Sequence, residues 1–473
     1  MSISTRGRAR LIIRPRPSRL LAVRLTALLP PLLADPTIDD LVEAAGSRSR
    51  TDRTVVVAPG ARPAVLAAMS LGASGIARAT GAAVPHSSDP VDSAPTSRGE
   101  GTPLLVVTAT GREAEQTAAA LSCYLPATDV AVFPAWETLP HERLSPRADT
   151  VATRLAVLRR LAHPEDGWDT GDRPTGAAPS GAPDAAPSGA PDPQRGPIRV
   201  LVVPVRALLA PVVDGLGELE PVHLAKGLEV GLETTAERLA AAAYTRVDMV
   251  ENRGEFAVRG GILDVFPPTL ARPVRVDFFG DEIESVSTFA VADQRTIEEI
   301  DAVTATACRE IVLTDAVRER ARALVDVIPG AADMLGKIAE GINCEGMESL
   351  APVLVERMVP LLDLVGDRLV VGLEPERLRK RAEDLVATTA EFLAAAWTSA
   401  ASGGTAPIDL SAAAFAHLAE ARALALSTNR GWWSLSSLAS SPDTVELPLR
   451  DPKGYRGRLE EAVKDLGALA RED

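Results

Sequence analysis

The sequence predicts an α/β protein: a parallel sheet with crossover helices, interrupted by a small sheet module. Three observations point there. Short apolar runs ending in small residues recur in the first half, each followed by a helical pattern: TVVVAPG at Thr54, LLVVTATG at Leu104, VAVFPAW at Val130 and VLVVPVRAL at Val200. Such runs are how strands buried on both faces read, and strands alternating with helices imply a parallel sheet. The segment Gly254 to Thr296 then reads as strand, Pro turn, strand, Gly-Asp turn, strand. Finally a strand at Leu369 to Leu373 is followed by a long helix, Arg377 to Trp397, and is expected to rejoin the first sheet.

Taken in order, the leader Met1 to Ala34 holds seven Arg and no acidic residue, then Leu-rich LTALLPPLLA. Arg24 and the Pro30-Pro31 pair interrupt the apolar run, so a disordered tail leading into an amphipathic helix around Leu20 to Leu33 fits better than a signal peptide. No segment approaches the ~20 apolar residues of a membrane span. Residues 1–50 are assigned to this leader and helix, and 51–217 to the first half of the α/β domain. Two inserts interrupt that half: 84–102, rich in Ser, Pro and Asp, and 164–197, with the near-repeat AAPSGAPDAAPSGAPDP. Both are too poor in apolar residues to fold and read as flexible surface loops. A module follows over 218–303, opened by a helix Thr234 to Ala243 with Thr234 or Thr235 as N-cap. From Thr314 the second half, 304–450, shows helical spacing through VRERARALVDVI, ADMLGKIAEGI and LAPVLVERMVPLL. Residues 451–473 begin a further amphipathic helix.

Alternation assigns faces within the module. Phe256, Val258, Gly260 and Ile262 share one side and Arg259 takes the other; Val274, Val276 and Phe278 oppose Arg275, Asp277 and Phe279. The outward face therefore carries guanidinium and phenyl groups. Pattern alone leaves two readings: a solvated face whose Phe is covered by a loop, or an interface, where Arg and aromatic residues are favoured.

Composition restricts the function classes. With 473 residues there is room for about three domains. Net charge −14 opposes non-specific nucleic-acid binding, which depends on neutralising phosphates. Three Cys at unrelated spacings argue against a disulfide framework or a zinc site, and for a reducing compartment. A phosphate-binding loop requires G-x-x-x-x-G-K-[ST] after a strand. The best-placed stretch, APGARPAVL, has one Gly, no Lys, and a Pro63 where amide donors are wanted. Glu251/Glu255 and Glu282/Glu284 have no His or nucleophile nearby and read as solvated charge. His141, with Arg143, Arg147 and Arg154, reads as a packed loop entering a helix Thr150 to Leu161 rather than a DNA contact. The Trp432-Trp433 pair is expected to anchor the returning half to the sheet, with an exposed partner patch as the other reading.

The motifs GEFAVRGGILDVFPP, RVDFFGDEIES and VADQRT, with Tyr244 to Asp248 and VFPAWETLPHERLSPRADTVATRL at Val132 to Leu155, resemble the module shared by the excision-repair helicase UvrB and the coupling factor Mfd. The resemblance covers roughly residues 50–450. Trp136 to Glu142 occupies the place of UvrB's Tyr-rich, DNA-gripping hairpin, so the Mfd family is the nearer one. That resemblance implies a degenerate RecA-like (P-loop NTPase-like) domain with no cofactor of its own, interrupted by a UvrB-like module that binds UvrA. The family's UvrA-binding positions match Arg259, Arg275 and Phe279, all in the outward set inferred from alternation. It also implies a cytoplasmic protein, truncated here before the domains that bind RNA polymerase and move along DNA with ATP and magnesium. The alternatives are a UvrB-like ATP-dependent helicase, opposed by the missing loop and hairpin, and an autoinhibitory scaffold.

Overall fold

The structure is a computed structural model and describes residues 25–47, 52–81, 101–139, 142–164, 196–401, 414–439, 444–451 and 458–472. The expected leader tail, both inserts save their outermost residues, and His141 lie outside the described residues.

The apolar runs form one sheet. β1 (Arg53–Val56), β2 (Leu104–Thr108), β3 (Val130–Val132) and β4 (Val200–Pro204) are joined later by β15 (Leu369–Leu373), β16 (Trp432–Ser436) and β17 (Val445–Glu446). The order is β17-β1-β16-β15-β2-β4-β3 and every pairing is parallel. Because β15 lies between β16 and β2, the chain leaves this sheet after β4 and returns to its centre. Alternation sends Leu105, Val107, Leu201, Val203, Val370 and Trp432 into the core on one face. Leu104, Val106, Val200, Val202, Val371 and Trp433 enter the core on the other. The tryptophan pair thus pins β16 from both sides, the anchoring arrangement, and is no exposed patch.

Between β4 and β15 come two small antiparallel pairs and a second sheet. β5 (Val212–Val213) pairs with β14 (Met358–Val359), and β6 (Val222–Ala225) with β13 (Ala302–Ala305). The sheet holds β7 (Thr245–Arg246), β8 (Glu255–Arg259), β9 (Ile262–Val265), β10 (Val274–Phe279), β11 (Glu282–Phe289) and β12 (Thr296–Glu299), in the order β12-β11-β10-β9-β8-β7. Its inner face buries Phe256, Leu263, Val265, Val274, Val276 and Val286 against Leu224, Leu239 and Tyr244. Gly254, at φ 83°, suits a left-handed turn where a Cβ would sit 3.2 Å from Cys308 Sγ.

Several expectations are corrected. The helix opening the module spans Leu232–Ala241 with Gly231 as N-cap; the Thr235 hydroxyl donates to the Gly231 carbonyl at 2.9 Å instead of capping amides. LAPVLVERMVPLL is not one helix but a short turn of helix Ala351–Leu354, strand β14 and a second turn Leu361–Leu364. Pro360 denies a continuing helix its amide and pushes the residue before it into extended backbone. The leader helix is broken too: Leu25–Leu28, Leu29–Leu33, then Pro36–Gly46, whose N-cap Asp35 accepts from the Thr37 amide at 2.9 Å.

Candidate partner-binding face

Phe256 to Ile262 is not the continuous strand that alternation suggests. β8 and β9 form a hairpin that turns at Gly260-Gly261, with Arg259 opposite Ile262 and Gly260 at φ 60°, a left-handed geometry that glycine adopts without strain. The turn moves Ile262 to the outer face. Residues directly opposite on neighbouring strands share a face, so the registers Ala257↔Asp264↔Arg275 and Arg259↔Ile262↔Asp277 define that outer surface. Phe279 follows at the end of β10, opposite Glu282.

One half of the face is covered. Val250, Ala257, Phe266 and Phe289 form a small apolar cluster there, with Val247 and Val291 packed on it. The loop 290–295 is closed by a bond from the Gln294 amide to the Ala290 carbonyl at 2.8 Å, Gln294 itself sitting at φ 58°. The other half is open. There Phe279 leaves 79% of its surface exposed, an unusual position for a large apolar side chain.

Between the two halves sits Asp264, its side chain only 1% exposed. Its carboxylate accepts Arg275 Nε at 2.7 Å and Nη2 at 2.9 Å, a fork-to-fork pair, and Arg259 Nη2 at 2.6 Å. Arg275 also donates from Nη1 to the Gln294 carbonyl at 3.2 Å and lies 4.7 Å from the centre of the Phe289 ring. The hydrogen bond to Asp264 raises the Arg275 pKa above the usual guanidinium value; burial opposes this, and the charges of Asp264 and Asp277 reinforce it. Arg275 keeps 18% of its side chain exposed and Arg259 48%. Asp264 is thus shared by two guanidiniums, with Asp277 a second carboxylate on the same face. The open surface offers the spare donors of Arg259 beside an exposed phenyl, which suits a partner presenting an acceptor next to apolar surface.

The three sequence-predicted residues therefore share one face, in graded exposure. Asp264 is the residue that pattern reading missed. Its signal was present: it is the one charged residue in the apolar run ILDV, in outward register one strand away from Arg275.

The remaining candidates are dispersed. Glu255 ties down a turn, accepting from the amides of Glu251 and Asn252 at 2.9 and 2.7 Å, while Glu282 and Glu284 are exposed. Arg143 donates to the Gly330 carbonyl at 2.9 Å and Arg147 pairs with Asp149 at 2.7 Å. Arg154, within helix Ala148–Ala162, is buried against Glu310. These arginines form no common basic surface. At the turn after β1, the Gly60 amide donates to the Asp451 carboxylate at 2.7 Å, and Arg62 pairs with Glu374 and donates to Ser437 Oγ at 2.8 Å.

Comparison with known proteins adds the following. Residues 222–310 match the UvrB interaction domain. The chain is 45% identical over 388 residues to the transcription-repair-coupling factor of Mycobacterium tuberculosis, a match covering 78% of this chain and 29% of that protein. It is 30% identical over 232 residues to the protein of the same name in Escherichia coli, covering 48% of this chain and 17% of that one. The chain thus spans under a third of the length of these relatives, is homologous to transcription-repair coupling factors over most of its own length, and carries a UvrB interaction domain.

Proposed function

We propose that this homologue of transcription-repair coupling factors recruits UvrA, the damage-recognition ATPase of excision repair, through the open half of the module's outer face. Its part in the whole protein is to connect RNA polymerase stalled at a lesion with nucleotide excision repair in the cytoplasm. The observation that carries the reading is the exposure of Phe279 and Arg259 on one side of the UvrB interaction domain, on the face away from the module's core. Contacts with polymerase and DNA, and ATP-driven movement, are assigned to other parts of the full-length protein.

The chain itself acts by binding, without nucleotide. Supporting this, the strand-to-helix turn where phosphates would need free amides and a Lys instead gives the Gly60 amide to its own Asp451 and surrounds Arg62 with Glu374 and Ser437. Net charge −14 also opposes sequence-independent DNA binding by this region. Titration of labelled UvrA against the chain tests the recruitment reading: saturable binding is expected, and its absence overturns the reading. Repeating the titration with the parent protein's carboxy-terminal domain added distinguishes recruitment from the autoinhibitory scaffold, since masking lowers affinity. Calorimetry with magnesium and ATP is expected to show no saturable heat.

A further inference from the structure

We infer that Asp264 is the positioning residue of the partner-binding patch: it holds Arg259 upright by balancing it against Arg275, and so sets which guanidinium the partner meets. The inference rests on the recruitment reading above. Asp264 lies on the central strand of three, directly opposite Arg275 on β10 and diagonal to Arg259 on β8. Both of its oxygens are used, and the assignment is unequal. Arg275 takes both oxygens through Nε and Nη2 and is further held by Gln294 and Phe289, whereas Arg259 has a single contact, Nη2 to Oδ2 at 2.6 Å. Arg275 is thereby the more firmly held of the two, with 18% of its side chain still exposed, and Arg259, 48% exposed, is aimed outward with donors to spare. Without the carboxylate the two guanidiniums, on one face but on strands separated by β9, would lose the acceptor they share. Arg259 would then swing toward solvent and lose the orientation that a partner's acceptor requires, and the cost of ordering it would fall on binding.

The test is a pair of double-mutant cycles on UvrA binding, with melting followed in parallel. Asp264→Asn keeps the size but removes the charge and places an NH₂ where an acceptor stood. It is expected to weaken UvrA binding about tenfold or more in the parent chain, close to the loss from Arg259→Ala. In the Arg259→Ala background Asp264→Asn should change affinity less than about twofold, whereas in the Phe279→Ala background its full effect should persist. An equal effect in both backgrounds means that the variant does not act through Arg259, and overturns the inference. Asp264→Glu, which retains the charge but shifts it by one methylene, covers the case in which the Asn variant unfolds: weakened binding with unchanged melting supports positioning, and unchanged binding contradicts it. ¹⁵N resonances of the arginine side chains give a readout without the partner. Arg259 Nη–H signals that are distinct in the parent and averaged in Asp264→Asn are expected; identical spectra overturn the inference. If Arg259→Ala and Phe279→Ala bind UvrA as the parent does, the recruitment reading fails; if they bind weakly and Asp264→Asn binds normally, only the positioning role fails.

Discussion

Glu310 and Asp264 are both carboxylates buried to 1% exposure, and both accept guanidinium donors, yet they lie in different surroundings. Glu310 accepts from Arg154 and, at 2.9 Å, from the indole Nε1 of Trp136. Arg154 in turn donates to the Pro134 carbonyl at 3.0 Å and is sandwiched 4.2 Å from the Phe133 ring and 5.6 Å from that of Trp136, leaving 3% exposed. That pair latches the end of the UvrB interaction domain onto the α/β domain. Asp264 has two arginines where Glu310 has one, and the second reaches solvent. The difference teaches that ionic chemistry alone does not mark a functional residue. A buried guanidinium whose three nitrogens all donate inside the protein belongs to the fold, and one with spare donors at the surface is available to a partner.

The largest effect is expected at Glu310. Glu310→Ala strands a buried guanidinium and is expected to destabilise the chain by about 3–5 kcal/mol in urea unfolding. An effect under ~1 kcal/mol would mean that the Glu310–Arg154 pair does not hold the fold. High pH probes the same end of the module. Burial pushes the Cys308 thiol up to about 12, the nearby Tyr244 and Arg309 pulling it partly back, and burial also raises Tyr244 well above the usual phenol value. The folded state therefore keeps protons that the unfolded chain releases. Stability from these groups is intact below about pH 9, the ordinary thiol value, and drains as pH rises toward about 12. Unfolding midpoints measured across that window should fall, and thiol reagents should leave Cys308 untouched at neutral pH.

Smaller effects sharpen the contrast. Val276→Ala, on the inner face, should cost about 1 kcal/mol or more as a core cavity. Replacing both Glu310 and Arg154 with apolar residues, as in Glu310→Leu with Arg154→Met, should cost less than Glu310→Ala, because no buried charge is left unpaired. Phe279→Ala should change stability by no more than about 0.5 kcal/mol, since the ring is already exposed.

Much of this was legible in the sequence, for identifiable reasons. The runs at Leu104 and Val200 became β2 and β4 because every residue of both is buried, which is what an uninterrupted apolar run encodes. Arg275 and Phe279 fell on the expected face because β10 is regular through its first four residues and its irregularity, between Asp277 and Phe278, leaves the alternation intact. Alternation failed at Gly260-Gly261, where it ran through a two-residue turn and left Ile262 on the wrong face. The charge of Asp264 within the run ILDV was visible, but its partners were not. Its partners lie 5 residues before it and 11 after it, and only the strand register brings them together. The burial of Arg154 depended likewise on Glu310, 156 residues away, which no local pattern reports.

UvrA is proposed to meet the open half of the module's outer face. The dissociation constant of UvrA for the parent chain, Arg259→Ala and Phe279→Ala, with Val276→Ala as the inner-face control, tests it most directly. A loss of about 2 kcal/mol, roughly thirtyfold, is expected for each of the two exposed residues with melting unchanged, and unaltered affinity for folded Val276→Ala. Parent-like affinity in both exposed-face variants, with the fold intact, would contradict the proposal.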